Sequence, residues 1–187
     1  MSLTLHDIET LFADAGTRLY GGEAISQAAH ALQAAQLAEQ DGCPDALVAA
    51  CLLHDLGHML FEQGDGDVAA GDDDLHQYRI IPFLRGLFDD AVLAPITLHV
   101  DAKRYLSATE PGYLAALSPA SVASLALQGG VMDDAQTQRF LQQPYAEEAL
   151  RLRRYDDAAK VPDLPTPGLA HYLPLLQGLA KSAPSCN

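Results

Sequence analysis

The sequence has few basic residues and lacks long apolar runs. Against 25 Asp and Glu it has only 11 Lys and Arg, which gives a formal net charge of −14. A polymeric nucleic acid would therefore meet general repulsion. No stretch approaches the roughly 18 apolar residues that a membrane-spanning helix needs, and the acidic Asp7 and Glu9 are unlike the start of a signal peptide. These features predict a cytoplasmic protein with neither a nucleic-acid partner nor a membrane partner.

Cysteine and tryptophan are also scarce. Cys43, Cys51 and Cys186 are odd in number and form no CxxC pair, so neither a disulfide framework nor a zinc knuckle is suggested. The chain has no Trp, and aromatic residues make up 6% of it. This composition argues against a β-sandwich, whose strands favour aromatic residues, and fits a reducing compartment.

What the chain does have is a helical spacing of apolar residues, which form 49% of its 187 residues. The spacing and the capping residues predict helices at 4–15, 23–40, from 43 through His58, 75–88, 90–105, 119–128, 134–159 and 168–180. The Gly- and Asp-rich stretch 63–74 predicts a mobile acidic loop that matches a calcium loop only loosely. The sequence thus predicts an all-α protein with one domain at 1–182 and a disordered tail at 183–187.

Four of the seven histidines lie on predicted helices at intervals of about twenty residues. Imidazole binds first-row transition metals, and a carboxylate among imidazoles can bridge two ions. Asp55, next to His54, is the natural bridge, and His58 lies one turn after His54. Burying this pair inside the apolar segment CLLHDLGHMLF costs several kcal/mol unless it is paired or binds metal. We therefore predict a metal site here; the alternative is that each histidine is an ordinary core or surface residue.

The arrangement H…HD…D, with HDLGH at 54–58, resembles the HD-domain superfamily, which includes metal-dependent phosphohydrolases and a smaller branch of di-iron oxygenases. His76 and the H-x-x-x-K segment at 99–103 resemble the oxygenase branch. Within it, the resemblance to the phosphonate-cleaving, 2-amino-1-hydroxyethylphosphonate dioxygenase-like enzymes extends from Tyr20 to Lys160. It rests on YGGE at 20–23, LLHDLGH at 52–58, LSPASVASLALQGG at 117–130 and LRRYDDAAK at 152–160. The resemblance implies one HD-domain helical bundle around a dinuclear metal site.

The resemblance also implies a set of metal ligands. One iron would be held by His30, His54, Asp55 and Asp156, and the other by Asp55, His76 and His99. Asp55 would bridge the two ions, and Tyr20 would complete the second ion when substrate is absent. Asp156 is chosen over the adjacent Asp157 by its spacing to Lys160. Other divalent metals also fit imidazole and carboxylate ligands.

Substrate contacts follow from the same resemblance. The phosphonate would be held by His58, Lys103, Ser121, Gln128 and Arg153, and Glu23 would receive a substrate ammonium group. The spacing of the residues supports part of this phosphonate site, because Ser121, Ser124 and Gln128 share one face of a capped helix. A polar stripe facing solvent is the alternative explanation of that face.

The implied reaction uses a mixed-valent Fe(II)/Fe(III) pair and O2 to cleave the carbon–phosphorus bond of a small anionic 1-hydroxyphosphonate. The products would be phosphate and a carboxylic acid such as glycine. Glu23 favours a primary amine substrate over a trimethylated one, since a trimethylammonium cannot donate a hydrogen bond and usually prefers an aromatic cage. Two alternatives remain: a phosphohydrolase in which a divalent ion activates water for attack on a phosphate ester, and a catalytically silent metal-binding regulatory module.

Overall fold

The computed structural model describes residues 2–21, 23–61 and 75–181, and over these ranges the chain is helical without a β-strand. The helices are α1 Leu5–Ala13, α2 Gln27–Gln40, α3 Asp45–Leu53, α4 Leu56–Leu60, α5 His76–Arg79, α6 Ile81–Leu84, α7 Asp90–Thr109, α8 Tyr113–Ala116, α9 Pro119–Leu127, α10 Asp134–Leu141, α11 Ala146–Ala158 and α12 Leu169–Leu179. A short 3-10 helix, Ala15–Thr17, follows α1. The predicted all-α class is confirmed. The predicted loop at 63–74 and the predicted tail at 183–187 lie outside the described residues.

Capping residues place several helix ends where the sequence predicts them. Thr4 caps α1 through a capping box with Asp7, and Ser118 accepts a hydrogen bond from the Ser121 amide at the start of α9. After α9 the chain turns at Gly129 and Gly130, with φ of 97° and 69°. Such positive φ values favour glycine, so this end of the helix is set by the sequence.

Several predicted helices are interrupted or shortened in the structure. The second begins at Gln27 instead of 23, because Ser26 caps it and residues 23–26 belong to the preceding turn. The predicted helix 134–159 is two helices, α10 and α11, since Pro144 lacks an amide donor and Tyr145 adopts a φ of 65°. The predicted helix 75–88 likewise forms two short helices, with Pro82 in the first turn of the second.

The most consequential interruption lies at the His54-Asp55 pair. The sequence predicts one helix from 43 through His58, but α3 ends at Leu53 and α4 begins at Leu56. Asp55 has φ −103° and ψ 13°, which is outside the helical region. The break lies where the two polar side chains are buried in the core.

Helix α3 forms the centre of the bundle, with its residues 47–53 all buried. It packs against α2, α7, α11 and α12. A main core surrounds it, and a smaller apolar cluster that includes Leu98, Phe140 and Ala149 joins α7, α10 and α11. Among the described residues, no helix combines the length and apolar character that crossing a membrane requires. Of the helices that pack against α3, α2 carries His30, α7 carries His99 and α11 carries Asp156.

Candidate metal centre

Histidine and aspartate side chains from separate helices meet inside the bundle. His30 lies on α2, His99 on α7 and Asp156 on α11, while His54 and Asp55 lie at the break between α3 and α4. His76 is the first residue of α5. All six of these side chains are buried, with at most 5% of any side chain exposed. The structure thus brings together every residue that the resemblance assigned as a metal ligand.

The first cluster consists of His30, His54, Asp55 and Asp156. The Nε2 atoms of His30 and His54 are 3.2 Å apart. Asp55 Oδ2 lies 3.4 Å from His54 Nε2 and 3.7 Å from His30 Nε2. Asp156 Oδ1 lies 3.4 Å from His30 Nε2. Ligand atoms of His30, His54 and Asp55 are close enough to hold one metal ion together.

The second cluster consists of Asp55, His76 and His99. The Nε2 atoms of the two histidines are 3.2 Å apart. Asp55 Oδ1 lies 3.2 Å from His76 Nε2 and 3.7 Å from His99 Nε2. The two oxygens of Asp55 therefore face different clusters, which is the arrangement expected of a carboxylate that bridges two ions.

Hydrogen bonds to the backbone orient the imidazoles as metal ligands. The Nδ1 atoms of His30, His54 and His99 lie 2.7–2.8 Å from the carbonyl oxygens of Ala159, Cys51 and Ile96. A carbonyl only accepts, so each Nδ1 carries the proton and each Nε2 directs a lone pair into its cluster. The facing lone pairs of His30 and His54 repel each other unless a cation lies between them. Two ligands about 2.1 Å from one ion and at right angles are about 3 Å apart, close to the spacing observed.

Electrostatics favour the ligand forms of these groups. Burial opposes ionisation of Asp55, but His54, His76 and His58 outweigh it and hold the pKa of Asp55 well below its ordinary value. Burial, with His76 and His54 nearby, lowers the pKa of His99 to about 3, so this imidazole is neutral near pH 7. Burial also disfavours a charge on His54, yet Asp55 and Asp156 raise its pKa above the ordinary value. Carboxylates that favour a proton on His54 also favour a metal ion there.

The structure distinguishes Asp156 from its neighbour. Asp156 faces the first cluster, whereas Asp157 contacts Arg153 and Tyr113. Burial opposes ionisation of Asp156, but Arg153 and His30 hold its pKa well below the ordinary value. Asp156 is therefore available as an anionic ligand.

Tyr20 lies beside the first cluster, whereas the resemblance assigned it to the second ion. Its ring stacks on His30 with centroids 3.8 Å apart, and its hydroxyl lies 3.5 Å from Asp156 Oδ1. Burial, Asp156 and Asp55 raise the pKa of Tyr20 well above its ordinary value. The hydroxyl thus stays protonated next to the first cluster.

A group of polar side chains, which we call the polar group, flanks the two clusters and consists of Glu23, Lys103, Ser121, Ser124 and Lys160. Lys103 is 2% exposed and donates a hydrogen bond of 2.8 Å to Ser124. Lys160 donates a 2.9 Å bond to Ser121, lies 3.3 Å from Glu23 Oε1 and stands 5.8 Å from the centre of the Tyr20 ring. Two ammonium groups therefore stand beside the metal clusters, where an anion can bind.

Three other predicted substrate residues have different surroundings. His58 is partly exposed and stacks on His76 with centroids 4.1 Å apart. Gln128 follows α9, and its buried Oε1 has no hydrogen-bond partner among the described residues. Arg153 is 4% exposed and is engaged with Asp156 and Asp157, so its guanidinium is largely occupied within the protein.

Comparison with known proteins gives three relatives. The chain is 37% identical over 167 residues to the [1-hydroxy-2-(trimethylamino)ethyl]phosphonate dioxygenase (glycine-betaine-forming) of Leisingera caerulea, covering 89% of this chain and 85% of the relative. It is 42% identical over 163 residues to the hydroxymethylphosphonate dioxygenase of Gimesia maris, covering 87% and 81%. The chain belongs to the phosphonate dioxygenase family. It is also 32% identical over 160 residues to the uncharacterized protein L432 of Acanthamoeba polyphaga mimivirus, covering 84% and 73%. No family model matches the chain.

Lys160 is one residue of this phosphonate dioxygenase family member to which the sequence analysis gave no role of its own. It was used only as a marker of spacing for Asp156. A signal was present, since Lys160 is four residues after Asp156 in a chain with 11 basic residues. Its proximity to Glu23 and Ser121 depends on the packing of α2, α9 and α11, which the sequence does not reveal.

Gly57 allows the second cluster of this family member to form. A Cβ atom at this position would lie 2.7 Å from the carbonyl oxygen of His76 and 3.1 Å from its Cβ. Helix α4 therefore approaches α5 more closely than any residue with a side chain permits. The glycine of the HDLGH segment thus has a packing role in placing His76.

Proposed function

We propose that the protein is a di-iron oxygenase of the HD-domain type that cleaves the carbon–phosphorus bond of a small 1-hydroxyphosphonate. The observation that carries the proposal is Asp55, whose two oxygens face two buried histidine clusters in a chain of the phosphonate dioxygenase family. A 1-hydroxyphosphonate and O2 would give phosphate and a carboxylate. O2 accepts the four electrons released when the carbinol carbon becomes a carboxylate carbon and the C–P bond breaks.

Bound iron would supply the activation of O2 and a Lewis-acid site for the hydroxyl and phosphonate oxygens of the substrate. His30, His54, Asp55 and Asp156 would hold one ion, and Asp55, His76 and His99 the other. The protein fixes the tautomer of its imidazoles through backbone carbonyls, so the ligands are oriented before an ion arrives. The buried position of these ligands also keeps bulk water away from the reacting carbon.

The polar group orients the substrate. Lys103 and Lys160 supply positive charge, and the hydroxyls of Ser121 and Ser124, which they already contact, are within reach of the same anion. His58, one turn after His54, closes the side of the second cluster through its contact with His76. We assign the phosphonate to the two lysines, the two serines and His58. Gln128 contributes its amide at the end of α9.

Glu23 would distinguish the substituent on the substrate. Its carboxylate can receive a primary ammonium through a charge-assisted hydrogen bond, which a trimethylated ammonium cannot donate. We therefore expect 2-amino-1-hydroxyethylphosphonate to be a better substrate than its trimethylated relative. Glu23→Gln should lower kcat/KM for the amine about ten- to a hundredfold, the loss expected for a charged hydrogen bond. An unchanged kcat/KM in this variant would reject the assignment of Glu23.

Hydroxymethylphosphonate is a second candidate substrate, favoured by the 3.3 Å contact between Lys160 and Glu23. Lys160 already supplies an ammonium to this carboxylate, so a substrate without its own cation leaves the pair intact. The relative from Gimesia maris is named for this compound. A substrate panel that compares the amine, the trimethylated and the unsubstituted compound ranks the candidates by kcat/KM.

The experiment that tests the reaction class is a parallel assay of oxygen uptake and phosphate release with iron-loaded protein and each hydroxyphosphonate. We expect one O2 consumed for each phosphate released, and no phosphate without oxygen. Phosphate release from esters under anaerobic conditions would instead establish the phosphohydrolase alternative. Absence of turnover with every compound would favour the silent metal-binding module.

A further inference from the structure

Arg153 lies between two carboxylates of its own helix. Its Nη1 is 2.8 Å from Asp156 Oδ2, and its Nε is 3.1 Å from Asp157 Oδ2, while Nη2 contacts Asp157 Oδ1. The hydroxyl of Tyr113, on α8, donates to Asp157 Oδ2 and accepts a 3.1 Å hydrogen bond from Arg153 Nε. The guanidinium, the two carboxylates and the phenol thus form one chain of charged and charge-assisted contacts, in which Asp157 is partly exposed and the other three side chains are buried.

The two oxygens of Asp156 have separate partners. Oδ1 faces His30 Nε2 at 3.4 Å, whereas Oδ2 forms an ion pair with Arg153 Nη1 at 2.8 Å. Because the two oxygens belong to one rigid carboxylate, the ion pair of Oδ2 with Arg153 restrains the direction in which Oδ1 points. The orientation of this ligand therefore depends on how firmly the guanidinium is held.

Asp157 and Tyr113 contact the guanidinium through its Nε and Nη2 atoms, whereas Nη1 faces Asp156. Asp157 takes two of its nitrogens in a fork, which defines the plane of a rigid guanidinium. Tyr113 then restrains Asp157 from a different helix. Tyr113 had no role in the prediction from sequence, and Asp157 was only the alternative to Asp156 as a ligand. The hydrogen bonds of both side chains go to each other and to Arg153.

We propose that Asp157 and Tyr113 are positioning residues for the first cluster, acting through Arg153 to aim Asp156 Oδ1 at a first-row divalent cation. The proposal rests on the metal centre of the proposed function. It gives Arg153 a role in supporting Asp156, while the contact of Arg153 with the phosphonate stays a prediction. The chain Tyr113–Asp157–Arg153–Asp156 connects α8 to the site.

The test is an anaerobic titration of metal-free protein with Fe(II) alone, without substrate or O2. The wild type should bind two ions, and His30→Ala identifies which binding event belongs to the first cluster. Asp157→Asn should weaken that event about tenfold or more and leave the other unchanged, since the partners of a metal ligand affect metal affinity by about 10- to 100-fold. Wild-type affinity in Asp157→Asn would overturn the proposal.

The chain offers a matched control in Glu110→Gln. Glu110 pairs with Arg154 and joins the same two segments at the same separation of 44 residues as Tyr113 and Asp157. This pair does not touch Arg153, so we expect both binding events to match the wild type. Weakening in Glu110→Gln equal to that in Asp157→Asn would mean general loosening of α8, and would overturn the proposal.

Two further variants separate positioning from folding. Tyr113→Phe removes one hydroxyl and should weaken the same event even if Asp157→Asn fails to fold. In an Arg153→Met background, Asp157→Asn should cause no additional loss, because its effect passes through Arg153. Additive losses would overturn the proposal.

These titrations measure metal binding and no turnover. Failure of the proposed oxygenase reaction would therefore be seen separately, in the oxygen and phosphate assay.

Discussion

At the scale of single residues, Asp55 is the side chain that both clusters share. Its Oδ2 faces His54 and His30, and its Oδ1 faces His76 and His99. Removing this carboxylate would therefore remove a ligand from each of the two proposed ions at once. The same residue also carries the negative charge that lets two cations lie near each other.

Asp55→Ala should accordingly lose most of the bound metal, while His171→Ala keeps it. His171 is partly exposed and contacts Glu39, which belongs to neither cluster. Elemental analysis of the purified variants measures the metal content per chain. Two metal ions per chain in Asp55→Ala would reject Asp55 as the bridge. His6, which is exposed beside Glu9, should be as dispensable as His171.

Lys103 should make substrate binding depend on pH. Burial, together with the nearby Arg153, lowers the pKa of Lys103 to about 7. Below this pH the Lys103 ammonium is present and attracts the phosphonate, and above it the charge is lost. The Kd for hydroxymethylphosphonate should therefore rise as the pH increases from 6 to 9. Lys103→Arg keeps its charge over this range and should not show this rise.

The measurement is anaerobic binding at each pH in both proteins, and the ratio of the two Kd values cancels the titration of the ligand itself. A ratio that does not change with pH would contradict a Lys103 that loses its proton near pH 7.

Local sequence was sufficient for some site residues and insufficient for others. His54 and Asp55 could be predicted because two polar residues inside an apolar segment need partners. The choice of His76 and His99 needed the resemblance, since nothing local distinguishes them from ordinary histidines. The positions of Tyr20 and Lys160 could not be predicted, because each depends on contacts between distant segments.

At the scale of elements, the break between α3 and α4 determines how the site is built. The segment from 43 through His58 has the apolar content of one helix, and sequence reasoning predicted one. The structure instead ends α3 at Leu53, so that Asp55 leaves the helical conformation and faces both clusters. Such a break has no Gly or Pro at its centre, so it follows from tertiary contacts and not from local preference.

Gly57→Ala tests the fit between α4 and α5. The added methyl group would lie 2.7 Å from the His76 carbonyl oxygen, a backbone atom that can move only with its helix. We expect a destabilisation of about 1–3 kcal/mol in thermal unfolding and a lower metal content, since His76 is displaced. Gly178→Ala, with nothing within 4 Å, is the matched control and should keep both properties. Wild-type metal content in Gly57→Ala would refute the packing role of Gly57.

At the scale of the whole molecule, a chain of net charge −14 places two of its few cations beside the metal clusters. Others are neutralised within the protein, as Arg153 is by two aspartates and Arg154 by Glu110. Lys103, and Lys160 with its partner Glu23, therefore stand next to the clusters where a small anion can bind. The all-α class could be predicted from composition and spacing. The meeting of four histidines in one site could be inferred only from the resemblance, because it depends on how the helices pack.

The central claim is a mixed-valent di-iron centre, and electron paramagnetic resonance combined with iron analysis on aerobically purified protein tests it most directly. We predict two iron ions per chain and a mixed-valent Fe(II)/Fe(III) signal that changes when a 1-hydroxyphosphonate is added. Asp55→Ala should lack the signal. One metal ion per chain, or a fully active protein that contains Mn or Mg and gives no such signal, would contradict the claim.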